Sequence, residues 1–303
     1  MINIQQKDKR TAKPFVKWAG GKGSLVKQLT DCLPEDFGSQ VDVTYIEPFV
    51  GGGAMLFYML THYNNIRRVV INDVNKELID CYSLIKNKPF VLIKLLQKIN
   101  KKFHENDSLE YKTQYYYQMR ERYNHGSFTS EERAACFMFL NKTCFNGLYR
   151  VNNKGKFNVP FGKKDKISIC DEELLLTDHE LLKDVDIHCG DYTEMANFVG
   201  DGYNFIYMDP PYRPLVNTRS FVEYTHKVFD DVEQEKLKIF CDNLTDIGCR
   251  IMQSNSNSLD NNGESYFEKL YDGYRFTQIL AHRFINAHVG KRKKETELLI
   301  TNY

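Results

Sequence analysis

Asn204-Phe205-Ile206-Tyr207-Met208-Asp209-Pro210-Pro211-Tyr212 is the stretch around which the rest of the chain is organised. Its first five residues are β-prone and apolar apart from Asn204, with Gly202 before them and Pro210 soon after. A short run of this kind predicts a strand buried on both faces, as in the middle of a parallel sheet. Asp209 falls where that strand ends, at the carboxyl edge where open α/β sheets hold their ligands. Pro210 and Pro211 fix two φ angles and remove two N–H donors, so the corner is stiff and presents bare carbonyls. Tyr212 adds an aromatic face. A carboxylate, an acceptor carbonyl and a flat ring suit a planar amino group on a heteroaromatic ring. An ordinary turn accounts for Asp-Pro alone; Asp-Pro-Pro-Tyr after an apolar strand points to a site.

Upstream, Val43-Thr44-Tyr45-Ile46 predicts another strand, ending in Glu47-Pro48-Phe49-Val50-Gly51-Gly52-Gly53 ahead of a helix over Ala54 to Leu60. Strand, Gly-rich turn and helix make a cofactor-binding opening. Val69-Val70-Ile71-Asn72-Asp73 follows as a second strand, its acid 20 residues after Gly53. In such units that acid binds ribose hydroxyls. The Gly-x-Gly-x-x-Gly order of pyrophosphate binders is absent, so a nucleoside without phosphates fits better than a dinucleotide.

Nearer the start, Pro14-Phe15-Val16-Lys17-Trp18-Ala19-Gly20-Gly21-Lys22-Gly23-Ser24 carries three glycines that let backbone approach a ligand closely. Ser24 is placed to cap a helix begun by Leu25, Val26 and Leu29. Neither spacing nor context matches a phosphate-binding P-loop. Trp18 is equally suited to the core and to a site. Residues 1–13 are polar and basic, a frayed tail or an arm touching phosphate.

Residues 76–104 have a helical pattern in which Pro89 suits a first turn. Tyr111 to Tyr123 predicts an aromatic, packed helix, and Thr129-Ser130-Glu131-Glu132 fits a capping box before Arg133 to Leu140. The stretch Asn141 to Lys164 is dense in Asn, Lys and aromatics, with turn signals at Asn146-Gly147 and Asn153-Lys154-Gly155. Asn and Arg read base edges, aromatics stack, and Lys meets phosphate; the same residues also suit a polar surface hairpin. Val185 to His188 resumes the strand pattern and leads to Gly190-Asp191-Tyr192. Asp231 to Ile247 predicts a helix closed by Gly248. Strands follow at Arg250-Ile251-Met252 and Leu298-Leu299-Ile300. Between these two, Lys291-Arg292-Lys293-Lys294 is a solvated loop or a phosphate contact.

The chain has 303 residues, 42% hydrophobic and 27% charged, with net charge +1. That suits a soluble globular protein of one large or two small domains, with no global field demanding nucleic acid. A polyanionic partner must be held by local patches. The start lacks an apolar run, so no signal peptide is expected, and no stretch approaches a membrane span. Eight scattered cysteines without Cys-x-x-Cys indicate neither a zinc site nor a disulfide framework. The expected setting is a reducing cytoplasm, beside the nucleoid if the partner is DNA.

Taken together, Lys17-Trp18-Ala19-Gly20-Gly21-Lys22, Glu47 to Gly53, Asn72-Asp73-Val74-Asn75, Phe145-Asn146-Gly147-Leu148-Tyr149-Arg150, Phe157-Asn158-Val159-Pro160-Phe161-Gly162 and Asp209-Pro210-Pro211-Tyr212 resemble the Dam-type DNA adenine-N6 methyltransferases. The match runs from about Lys13 to Tyr303. The resemblance implies an α/β fold, a seven-stranded Rossmann-like methyltransferase sheet with an inserted, mainly helical target-recognition domain carrying a β-hairpin. The expected boundaries are 1–75 and 165–303 for the catalytic domain and 76–164 for the insert. It implies S-adenosyl-L-methionine as cofactor, held by Trp18, Ala19, Gly20, Lys22, Glu47, Phe49, Gly51, Gly53, Asp73, Asp191, Tyr192 and Asp209. It implies double-stranded DNA as partner, met by Lys17, Asn146, Gly147, Leu148, Tyr149, Arg150, Asn152, Asn158, Lys163 and Lys164, with Arg150 on a base edge. Some members carry an aromatic near the position of Lys164, so one DNA contact differs here. Many members methylate adenine in GATC and related ones act on longer sites. A monomer is expected, with or without a partner restriction endonuclease.

The chemistry suits the residues. Adenine N6 is a poor nucleophile because its lone pair is delocalised, and the base must leave the duplex to reach a pocket. The Asp209 carboxylate and the Pro210 carbonyl can accept its two N–H bonds, with Pro211 stiffening the corner and Tyr212 stacking on the base. No metal is needed. A cytosine-C5 enzyme would need a nucleophilic cysteine, usually after proline, and no proline here precedes cysteine. Two other readings stay open. A methyltransferase acting on a protein or RNA amide usually has Asn in place of Asp209 and lacks the long insert. A DNA-binding protein without activity would have no need of Lys22, Asp73 and Asp209.

Overall fold

The computed structural model describes residues 12–163, 167–213, 229–260, 263–281 and 295–303. The tail residues Lys7, Lys9 and Arg10, the DNA-contact candidate Lys164 and the run Lys291 to Lys294 lie outside the described residues.

Among the described residues seven strands form one sheet: β1 (Val43–Glu47), β2 (Ile66–Asn72), β3 (Val185–His188), β4 (Asn204–Met208), β5 (Arg250–Ser256), β6 (Arg275–Ala281) and β7 (Glu295–Thr301). Their spatial order is β3-β2-β1-β4-β5-β7-β6. β1 is parallel to both β2 and β4, β4 to β5, and β7 is antiparallel to its neighbours β5 and β6. The chain winds outward from β1 to β3 and then returns to the other side of β1 with β4. The switch point therefore lies between β1 and β4, and the crevice beyond their carboxyl ends is the expected ligand position.

The apolar run Asn204–Met208 is buried at every residue, as is β1. Alternation explains why. Tyr45, Phe205 and Tyr207 enter one core and Ile46, Ile206 and Met208 the other, so both faces of the sheet are covered. Asn204, the polar exception, donates to the carbonyls of Gly200 and Gly202 (both 2.8 Å) and accepts from the Gly200 N–H, which closes the preceding turn.

The helices are α1 (Val26–Thr30), α2 (Ala54–His62), α3 (Lys76–Asn87), α4 (Pro89–Phe103), α5 (Leu109–His125), α6 (Ser130–Thr143), α7 (Glu172–Leu182), α8 (Asp231–Asp246) and α9 (Tyr266–Leu270). The pattern over 76–104 is two helices that meet at Lys88, because Pro89 takes the first position of α4. Both halves of the capping box at Thr129 and Glu132 are formed. Gly248, at φ 88°, ends α8. Ser24 does not cap α1: Leu25 occupies that position with helical dihedrals and no side-chain bond, and the Lys22 carbonyl opens the turn instead. The strand β6 and the helix α7 were not foreseen.

The described residues between β2 and β3 share the core of the sheet. Phe103, Tyr116 and Phe139 of α4 to α6 belong to the same apolar cluster as Tyr45 and Phe205 of the sheet. The expected β-hairpin is looser than a ladder: Cys144 pairs with Phe161 and Val151 with Phe157 as isolated antiparallel bridges. The aromatic helix α5 pins its return arm. Tyr116 Oη donates to the Val159 carbonyl (2.8 Å), and Asn124 exchanges two bonds with the backbone of Phe157 (both 2.9 Å).

Candidate active site

The turn after β1 works only with glycine at its two left-handed positions. Gly51 has φ 50°, and a Cβ there would sit 2.9 Å from Trp18 Cδ1; Gly53 has φ 76°, and a Cβ would meet the Tyr82 hydroxyl at 2.4 Å. The Tyr82 hydroxyl donates to the Gly51 carbonyl at 3.0 Å. Asp73, just past β2, accepts from the N–H groups of Gly51 (3.0 Å) and Asn75 (2.9 Å), one on each carboxylate oxygen. It therefore shapes the turn and still has lone pairs to offer a ligand. Burial pushes its carboxyl up to about 6, against the pull of those two N–H donors. Asn72 ties the neighbouring loops together by donating to the carbonyls of Pro48 (3.0 Å) and Gly190 (3.1 Å), while its own buried Oδ1 has no hydrogen-bond partner.

On the β3 side, Asp191 Oδ1 accepts from the N–H and hydroxyl of Thr193, capping the turn that begins at Tyr192. Tyr192, Phe49 and Phe229 form an aromatic group, with Phe49 5.2 Å from Tyr192 and 6.1 Å from Phe229 between ring centroids. Phe229 was absent from the sequence reading; an aromatic ahead of α8 carries no signal of its own.

The glycine stretch before α1 delivers Lys22. Its side chain is only 4% exposed, an unusual place for a lysine without partners. Nζ donates to the Gly20 carbonyl (2.7 Å) and stands 2.9 Å from Asp209 Oδ1, 3.7 Å from Glu297 Oε2 and 4.6 Å from the centre of the Tyr212 ring. Lys22 thus meets the Asp-Pro-Pro-Tyr corner directly. Ala19 is half-buried and Gly20, at φ 73°, is exposed. Asp209 is pushed up from the ordinary carboxylate range, by burial first, with the Lys22 ammonium opposing. Glu47, at the end of β1, is driven well above that range by burial, although it accepts a 2.7 Å bond from the Tyr45 hydroxyl. Carboxylates thus gather at the carboxyl edge of the sheet around one lysine.

The Asp-Pro-Pro-Tyr corner is held by residues that sequence reasoning missed. Gln234 of α8, fully buried, donates to the Pro211 carbonyl (3.1 Å) and accepts from Asn255 of β5 (3.2 Å). Asn255 accepts from the Arg213 N–H, and the Ser256 hydroxyl donates to the Arg213 carbonyl. The Tyr212 hydroxyl donates to Glu297 Oε2 at 2.7 Å. The run of polar residues Gln253 to Ser256 after Ile251-Met252, and Glu297 ahead of Leu298-Leu299-Ile300, were the available signal. Pro210 itself is buried.

The residues expected to meet DNA gather around the turn at Asn146-Gly147 and Lys17. Asn146 (φ 56°) and Gly147 (φ 67°) are both left-handed, and the Leu148 N–H closes the turn on the Phe145 carbonyl. Gly147 is buried, and a Cβ there would lie 2.6 Å from the Lys17 side chain. Asn141 of α6, also buried and not foreseen, accepts from the Lys17 N–H (2.9 Å) and donates to the carbonyls of Lys17 (2.8 Å) and Gly147 (3.1 Å). Tyr149 stacks on Trp18 rather than standing free, and Leu148 leans on the core. Arg150 Nε donates to Asn158 Oδ1 at 2.8 Å. Asn152 Oδ1 accepts from the N–H groups of Lys154 and Lys156 and so shapes the hairpin tip. Lys163 is exposed at φ 50°.

A doubly wound sheet with an acid after β2, an aromatic group and the Asp-Pro-Pro-Tyr corner at its switch point is compatible with a methyltransferase of the α/β class. The chain belongs to the family described as D12 class N6 adenine-specific DNA methyltransferase, whose model matches residues 18–284. It is 43% identical to the type II methyltransferase M.MjaIII of Methanocaldococcus jannaschii over 96% of this chain and 99% of that one. It is 36% identical to the type II methyltransferase M1.LlaDCHI of Lactococcus lactis subsp. cremoris over 100% and 99%, and 30% identical to the DNA adenine methylase of Escherichia coli K12 over 94% and 93%. The protein is an adenine-specific DNA methyltransferase, and its family and fold imply S-adenosylmethionine as methyl donor. Among the described residues no helix is long and apolar enough to cross a membrane.

Proposed function

We propose that the enzyme methylates N6 of an adenine flipped out of double-stranded DNA, within GATC, with Asp209, Pro210, Pro211 and Tyr212 as the corner that receives the base. One observation carries this reading: Asp209 stands at the end of the central strand with its Oδ1 buried and 2.9 Å from Nζ of the buried Lys22, so a carboxylate acceptor is held at the edge where the sheet takes its ligand. The Asp209 carboxylate and Pro210 carbonyl accept the two N6–H bonds and localise the lone pair on nitrogen. The Tyr212 ring, with Lys22 over it, stacks on the base. Catalysis rests on positioning and on the electrostatics of the carboxylate rim, without a covalent enzyme intermediate.

The residues fit S-adenosylmethionine. Asp73 retains acceptor capacity for a ribose diol, Phe49 and Tyr192 offer ring faces, and the acidic rim suits a cation. Trp18, Ala19, Gly20, Lys22, Glu47, Gly51, Gly53 and Asp191 complete the proposed cofactor site. When bound, the cofactor supplies an electrophilic methyl group on a sulfonium.

Residues 76–164 form the proposed target-recognition insert between the catalytic parts 1–75 and 165–303. Lys17, Asn146, Arg150 and Asn158 face the bases, Gly147, Leu148 and Tyr149 hold the turn that presents them, and Asn152, Lys163 and Lys164 meet the backbone. A longer adenine-containing site, in partnership with a restriction endonuclease, is the second reading, supported by two relatives named as type II methyltransferases. The enzyme acts as a monomer in the cytoplasm, on nucleoid DNA. Base-resolved methylation mapping of DNA from cells expressing the chain decides the site: N6-methyladenine confined to GATC supports the first reading, and a longer motif the second.

A further inference from the structure

We infer that Glu297 is a positioning residue for methyl transfer, fixing Tyr212 through its hydroxyl and holding Lys22 back from full neutralisation of Asp209. The inference rests on the reading of the Asp209 to Tyr212 corner as the adenine pocket.

Glu297 is a buried carboxylate, 8% exposed, immediately before three buried apolar residues of β7, Leu298, Leu299 and Ile300. Burying a carboxylate is costly unless it is paired, and apolar packing would serve stability better. Its position follows from the topology. β7 runs antiparallel to β5, so its beginning lies beside the end of β5: Glu297 is opposite Ser256. That register brings an acid of β7 to the carboxyl edge of the parallel strands, beyond the end of β4. There, one oxygen, Oε2, has two partners. It accepts from the Tyr212 hydroxyl at 2.7 Å and lies 3.7 Å from Lys22 Nζ.

The two contacts do different things. The hydroxyl bond restrains the swing of the Tyr212 side chain about the corner, so the ring is in place before the base arrives. The ionic contact makes Lys22 serve two acids instead of one. Asp209 is faced by Lys22 from the glycine loop, Glu297 from β7, Tyr207 from its own strand, Tyr212 from its own corner and Glu47 from β1. Lys22 is the cation of that set. With Glu297 uncharged, the ammonium concentrates on Asp209 and weakens it as an acceptor for N6–H. The sign for pH follows: Glu297 raises the Asp209 pKa, so loss of its charge lowers it.

The test uses the full-length enzyme on a duplex with its mapped site, and on the same duplex carrying 2-aminopurine at the target. Glu297→Gln keeps an oxygen acceptor for Tyr212. It should keep the KM for DNA and the fluorescence of the flipped base, lower kcat about tenfold, as one pK unit of altered interaction would, and move the acid limb of kcat to lower pH. Glu297→Ala should also lose the flipped-base signal, and Tyr212→Phe should lose it to the same extent, with the double variant no worse than either. A Glu297→Gln enzyme with unchanged kcat and acid limb overturns the inference, as does full additivity of Glu297→Ala with Tyr212→Phe. Asp209→Ala, run in parallel, separates the levels. If it retains turnover, the adenine-pocket reading itself fails; if it is inactive while Glu297→Gln matches the native enzyme, only the role of Glu297 fails.

Discussion

The indole of Trp18 lies stacked on the ring of Tyr149, with centroids 5.6 Å apart and planes 18° from parallel. Trp18 lies against the glycine turn proposed for the cofactor, and Tyr149 follows the turn proposed to meet DNA. Trp18 also meets Phe137 of α6, 6.4 Å between ring centroids, and Asn141 secures the junction by bonding the backbone of Lys17 on one side and Gly147 on the other.

A contact shared by two sites should couple them, and the coupling must be reciprocal. Duplex affinity should rise when a non-reactive cofactor analogue is present. Asn141→Ala leaves three backbone groups without their partner and should erase about 1–3 kcal/mol of that coupling, the scale of unsatisfied buried groups. The check is duplex titration with and without analogue. An unchanged affinity ratio in the variant would remove Asn141 from the link.

Asp73 gives a pH signature. Its carboxyl is pushed up to about 6, and the ionised form is the better acceptor for ribose hydroxyls. Cofactor affinity should therefore fall as pH drops through about 6, by up to roughly tenfold per unit. Asp73→Asn should flatten that dependence, and Asp73→Ala should weaken binding by about 1.5–3 kcal/mol, as for a charge-assisted bond. Calorimetry across pH 5 to 8 would expose a flat native profile, which this account forbids.

Base reading and phosphate contact should fail differently. Asn158 occupies Arg150 Nε, so any base edge is left to the terminal nitrogens of the guanidinium. Arg150→Ala should lose about 1–3 kcal/mol of discrimination at one symmetric position, and Asn158→Ala should lose part of the same discrimination. Lys163→Ala should weaken all duplexes alike and reduce the salt slope. Single-mismatch duplexes at fixed salt distinguish the two. If Arg150→Ala slows every duplex by one factor, Arg150 positions the DNA and specificity lies elsewhere, with Lys17 next in line.

Local chemistry explains how much of this could be read in advance. The central strands were legible because burial on both faces leaves continuous apolar runs, as in Asn204–Met208. Glycine turns were legible because Gly51, Gly53 and Gly147 occupy backbone conformations that other residues rarely adopt. The strand β6 was not, since Arg275, Thr277 and Gln278 interrupt its apolar pattern and it lies at the sheet edge. Ser24 misled because a capping residue type says nothing about where the helix begins. Glu297, Gln234 and Asn255 reach the site only through the register of β7 against β5 and the packing of α8, which no local window of sequence contains. Lys22 was assigned to the cofactor, yet its geometry ties it first to Asp209.

The central claim is that the Asp209 carboxylate receives the amine that is methylated. Its most direct test is methyl transfer and cofactor binding measured side by side for Asp209→Ala. The account predicts that transfer is lost by at least a few kcal/mol of transition-state stabilisation, on the scale of a missing oxyanion donor, while cofactor affinity stays near the native value. Near-normal turnover in that variant would contradict it.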